Sequence, residues 1–181
     1  MVRSLVFVLA VAAAPLAHAA APVAVSLTDG FTFEAYSGDA PVGAGGVATN
    51  FKLFYIDEKL IDGFKSWYVF FDPARVQAVS ATLQFELPIA AVYTTRGELL
   101  ASAAFTSDTV SYAYRPATGL ESDVDIVAWS PGGRSLELSW LASGPGDHIR
   151  VLTAVPEPAT YAMLAAGLGV VGWLARRRSA T

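Results

Sequence analysis

The chain has 181 residues, enough for one domain, with 54% apolar residues and a formal net charge of −4. It contains no cysteine, which excludes disulfide staples and thiolate metal ligands. Residues 20–155 carry eight Lys and Arg against fifteen Asp and Glu, a net charge of −7 that disfavours nucleic acid and anionic lipid as partners.

Residues 1–19 begin with Arg3, continue through the apolar stretch Leu5 to Ala14, and end in the small-x-small triplet Ala17-His18-Ala19. This is the pattern of a secretory signal peptide, with Ala17 and Ala19 marking the cleavage site. Ten apolar residues ending at Pro15 are too few to span a bilayer.

From Ala20 to Thr153 apolar residues recur with period two. Phe31, Phe33 and Ala35 alternate with Thr32, Glu34 and Tyr36, and Leu83, Phe85 and Leu87 alternate with Thr82, Gln84 and Glu86. The same reading predicts strands at Phe51 to Ile56, Trp67 to Phe71, Thr109 to Tyr114, Val124 to Trp129, Leu136 to Trp140 and Ile149 to Leu152. Breakers separate them: the Gly-rich segment Ala40 to Ala48, Asp62-Gly63, Asp72-Pro73, Arg96-Gly97, Pro131-Gly132-Gly133 and Gly144-Pro145-Gly146. Arg75 to Ala81 is the one place where a helical turn competes. Eight to ten strands without a long amphipathic helix predict an all-β ectodomain over 20–155, an antiparallel β-sandwich of jelly-roll-like form, with a closed barrel as the alternative.

The last segment, 156–181, opens on Pro156-Glu157-Pro158, continues as the uncharged apolar run Ala159 to Ala175, and closes on Arg176, Arg177 and Arg178. Seventeen residues at helical rise cover ~26 Å, the short end of a transmembrane helix. Tyr161 and Trp173 stand near its ends, and the arginines place its carboxyl side in the cytoplasm. The order of triplet, short span and arginine cluster resembles the PEP-CTERM sorting signal. That resemblance implies a bacterial protein held transiently in the inner membrane, processed by an exosortase-type sorting protease, and delivered to the cell surface or extracellular matrix.

Candidate chemistry in the ectodomain is sparse. Its one histidine, His148, lies in the turn before the last strand, and no Gly-x-Ser-x-Gly elbow accompanies it, so no catalytic residue is assigned. Glu121, Asp123 and Asp125 alternate into a strand and would share one face, where hard oxygen ligands could hold calcium as a cofactor or a carboxylate pair could cleave a glycoside. The glycine and terminal glutamate of a calcium loop are missing, however, and a solvated, charge-protected strand face accounts for these acids better. Tyr36, Tyr55, Trp67, Tyr68, Tyr93, Tyr112, Tyr114, Trp129 and Trp140 are numerous for one small core, and rings stacked on sugar would use the surplus. The expectation is therefore a non-enzymatic exported surface or matrix protein, with an exopolysaccharide-binding module as the alternative and a secreted hydrolase third.

Overall fold

Apolar side chains at alternate positions give a pleated strand one face to bury, and this chain repeats that pattern often enough to build two sheets. The structure is a computed structural model and describes residues 19–121, 123–156, 164–172 and 176. Ala19–Val155 form one compact unit. In chain order its elements are β1 (Val23–Leu27), β2 (Thr32–Ala35), β3 (Lys52–Ile61), β4 (Phe64–Phe71), β5 (Gln77–Gln84), β6 (Ile89–Tyr93), α1 (Arg96–Ala101), a 3-10 turn (Ala103–Phe105), β7 (Ile126–Trp129), β8 (Ser135–Ala142) and β9 (Asp147–Ala154). The protein is thus mostly β, with a four-stranded sheet ordered β1-β5-β8-β7 and a five-stranded sheet ordered β2-β3-β4-β9-β6.

Every pairing is antiparallel except β2 with β3, which run parallel from Thr32 beside Lys52 to Ala35 beside Tyr55. The all-antiparallel expectation fails here for a topological reason. Parallel neighbours need a crossover of about a dozen residues or more, and the Gly- and Pro-bearing segment 36–51 supplies it.

The inner faces of the two sheets meet in one apolar cluster. Val79, Ala81, Leu83, Leu136, Leu138, Trp140 and Ala142 come from the first sheet, and Leu53, Trp67, Val69, Phe71, Ile149 and Val151 from the second. A second cluster lies on the other face of the five-stranded sheet, where Phe54, Ile56, Tyr68 and Phe70 meet Val42 and Leu99. Tyr36, Tyr93, Val110, Tyr112 and Tyr114 pack against it. Strands β4 and β9 are therefore buried on both faces, from Lys65 to Phe71 and from Asp147 to Thr153.

This cover explains three departures from the expected elements. Thr109 to Tyr114 keeps its period two but forms only a single parallel bridge, Val42 to Tyr112, because its alternate side chains cap the second cluster instead of extending a sheet. Arg96-Gly97, expected as a break, opens α1, whose Leu99 is fully buried. The candidate helical turn at Arg75 to Ala81 is instead a bend at Arg75 followed by the start of β5 at Gln77, which pairs along its length with β8 and also with β1.

In the carboxyl-terminal segment, residues 164–172 are helical and exposed. No helix among the described residues is long and apolar enough to cross a membrane. The expected span Ala159 to Ala175 is described only over that middle portion, since 159–163 and 173–175 lie outside the described residues.

Candidate functional site

The tail is reached directly from the sheet. β9 ends at Ala154, whose N–H donates to the Pro88 carbonyl at 2.8 Å, and the Val155 N–H donates to the Gly63 carbonyl at 2.8 Å. Pro156 follows, exposed and without regular structure, and Arg176 is helical and exposed. Glu157, Pro158, Arg177 and Arg178 lie outside the described residues, as does Ala17 of the cleavage triplet. Ala19 is buried against the inter-sheet core, and the Ala20 main-chain nitrogen donates to Glu86 Oε2 at 2.5 Å.

The three expected calcium ligands do not share a strand face. β7 begins at Ile126, so Glu121, Asp123 and Asp125 belong to the turn before it, and Asp123 is exposed and does not join the other two. That turn is closed by the Asp125 N–H donating to the Glu121 carbonyl at 2.9 Å. Asp125 is fixed further, with Oδ2 accepting from the Glu121 N–H and Oδ1 from the Leu141 N–H of β8, both at 2.9 Å. The structure instead adds Asp147. Carboxylate oxygens of Glu121, Asp125 and Asp147 lie within 4.8 Å of one another.

Asp147 is set there by the turn into β9. Gly146 has φ +89°, and a Cβ on it would run into the Phe71 carbonyl, so only glycine makes this approach. Asp147 is 3% exposed and its Oδ2 has no hydrogen-bond partner among the described residues. Burial, then the charges of Asp125 and Glu121, push the Asp147 carboxyl up to about 8. Burial and the neighbouring Asp125 also raise the Glu121 carboxyl above its usual value.

His148 is not the solvated turn residue its surroundings suggest. It is fully buried, stacked on Phe70 with ring centroids 5.5 Å apart, and tilted against Tyr68 at 5.8 Å. Its Nε2 lies 2.8 Å from the Pro145 carbonyl, which can only accept, so that nitrogen carries the proton. Burial lowers its pKa to about 4, against the smaller effect of that hydrogen bond, and leaves the ring neutral.

None of the nine candidate aromatic residues is exposed. Trp67, Tyr68 and Trp140 are fully buried and the other six are half-buried, several in the second cluster. The rings fill two cores, one more than the sequence pattern announced.

Sequence reasoning missed the buried group at the centre of the cover, Arg150 with Glu58. Arg150 Nη1 donates to the Leu99 carbonyl at 2.9 Å and to Ser102 Oγ at 2.5 Å, and Nη2 donates to the Tyr114 hydroxyl at 3.1 Å. Nε and Nη2 also donate to the Glu58 carboxylate, whose Oε2 accepts in addition from Ser66 Oγ at 2.5 Å. Burial disfavours the charged guanidinium, but its hydrogen bonds and attraction to Glu58 outweigh that and raise its pKa. The group ties β3, β4 and β9 to α1 and to the segment bearing Tyr114. A sequence signal for part of it existed in Thr95-x-x-Glu98, a capping box ahead of an apolar run.

No curated protein and no solved structure matches the chain. A family model for the PEP-CTERM protein-sorting motif matches residues 154–178, from the end of β9 through the arginine cluster. That motif indicates an exported precursor, anchored at the membrane before cleavage and handled there by an exosortase. The chain is a PEP-CTERM sorting-signal protein.

Proposed function

We propose that the protein is a non-enzymatic component of the cell surface or extracellular matrix, delivered there by removal of its own tail. The observation that carries this reading is the placement of the sorting motif, which starts at residue 154 where the last strand ends. In this reading Ala159 to Ala175 is the transient transmembrane helix, Pro156, Glu157 and Pro158 are the recognition element, and the arginines hold the orientation. Signal cleavage after Ala19 would leave the new Ala20 ammonium beside Glu86, a charge-assisted contact that supports this cleavage point.

The ectodomain is read as a β-sandwich of jelly-roll-like form. Support comes from one nested arrangement: β4 with β9 in one sheet encloses β5 with β8 in the other. The non-enzymatic reading is supported by His148, whose neutral ring is packed between Phe70 and Tyr68 rather than open to a substrate. A carbohydrate-binding module would need a platform of open rings, and none of the nine candidates is exposed.

Mass spectrometry of both ends of the protein from its native cells tests the reading. A chain starting at Ala20 and lacking the Ala159 to Ala175 run is expected. Recovery of the wild-type protein intact through Thr181 would overturn it and leave a plain anchored β protein.

A further inference from the structure

Asp147 stands at the first position of β9, on the face that meets the other sheet, while Asp125 is held by the Leu141 N–H of β8 and by its own turn. The carboxylates of Glu121 and Asp125 in the turn before β7 and of Asp147 at the start of β9 thus converge, with oxygens within 4.8 Å of one another. Like charges this close repel, and Asp147 is denied the usual relief of water because it is 3% exposed. One of its carboxylate oxygens faces Glu121 and Asp125, and its Oδ2 is buried without a donor among the described residues. Among the described residues no Lys or Arg forms a salt bridge with the group, so a buried carboxylate oxygen lacks a positive partner.

We infer that Glu121, Asp125 and Asp147 form a binding site for one calcium ion that clamps the turn before β7 to the start of β9. A single ion at a Ca–O distance of ~2.4 Å reaches oxygens up to ~4.8 Å apart, and calcium accepts six to eight oxygen ligands of irregular arrangement, so water completes the set. Two of the three ligands are those of the acidic run in the sequence; the third comes from 22 residues beyond Asp125 and replaces Asp123. In a chain without cysteine the ion does the work of a cross-link, holding two separate segments at the end of the sandwich core.

The test is isothermal titration of the EDTA-treated full chain in detergent with Ca²⁺ alone, followed by thermal unfolding with and without it. One site is expected, with Kd on the order of 10⁻⁴–10⁻³ M, the range of exported calcium modules, and a higher Tm with calcium. Asp147→Asn removes the binding. Glu121→Gln changes an exposed side chain without touching the core and weakens affinity at least tenfold, so the question stays open to disproof even if the Asp147 variant does not fold. Absence of saturable heat up to 10 mM Ca²⁺ (roughly ten times the weakest expected Kd), or unchanged affinity in Glu121→Gln, overturns the site. Equal binding of Mg²⁺ overturns its assignment to calcium.

Discussion

Arg150 and Glu58, 92 residues apart in the chain, hold each other through two parallel hydrogen bonds, Nε to Oε2 at 2.7 Å and Nη2 to Oε1 at 2.9 Å, with neither side chain exposed. All five guanidinium N–H groups have acceptors, which is the condition under which a charge can be kept in a core. Arg150→Met leaves the Glu58 carboxylate buried without its partner and should cost about 3–5 kcal/mol. Replacing Glu58 by Leu in the same chain should cost much less than the two single changes added together. Urea unfolding of the four proteins measures this, and a single-variant loss below ~1 kcal/mol would show that the pair is not desolvated as described.

Trp140→Ala should destabilise by about 3–5 kcal/mol, since the indole is 1% exposed between the sheets and its removal leaves a cavity of most of its volume. Trp140→Phe should cost less, because the indole N–H has no partner to lose. Chemical denaturation distinguishes them, and equal losses would point to a hidden hydrogen bond.

Helix α1 carries a reciprocal cap in which the Glu98 N–H donates to Thr95 Oγ1 and the Thr95 N–H donates to the Glu98 carboxylate. Thr95→Ala should cost ~1 kcal/mol. The Thr95 N–H holds the Glu98 carboxyl below its usual value, so its share of stability is present above the ordinary carboxylate pKa and is lost as pH falls through the lowered folded value. Glu98 is exposed, so the effect is small. Comparing wild type with Glu98→Gln across the acid range should show a shallower acid loss in the variant; parallel curves would remove Glu98 from the cap.

Glu157→Ala should block tail removal in the native host and leave the chain in the inner membrane with its ectodomain folded. Insertion of an ordinary anchor depends on the apolar run and on Lys and Arg bias, so without a sorting role this change should do nothing. Neutral residues at Arg176, Arg177 and Arg178 should disturb orientation and also abolish surface display. Fractionation with a mass check of the carboxyl end reads both outcomes.

The strands were legible where one face is buried. β8, with Leu136, Leu138, Trp140 and Ala142 inward and Ser135, Glu137, Ser139 and Leu141 outward, announces itself by alternation. The second core was less legible, although the unbroken run Trp-Tyr-Val-Phe-Phe over 67–71 is what a strand covered on both sides looks like. Nothing local tells that Tyr112 and Tyr114 serve that cover without joining a sheet. The acidic cluster was half visible, because Glu121 and Asp125 are neighbours in a turn whereas Asp147 joins them only through the meeting of two sheets. Glu58 and Arg150 were invisible for the same reason, since a pairing across 92 residues leaves no spacing to read.

The position of β9 has a consequence for timing. A chain made from its amino end produces β4 and β6 well before the strand that lies between them. Until residues 147–154 exist, those two strands flank a gap, Glu58 has no guanidinium, and α1 and the Tyr114 segment lack the Arg150 hydrogen bonds that tie them to the sheet. The next residues to be made are those of the sorting motif. The last strand and the address label are therefore neighbours in the order of synthesis, and a chain cut short before residue 147 lacks both.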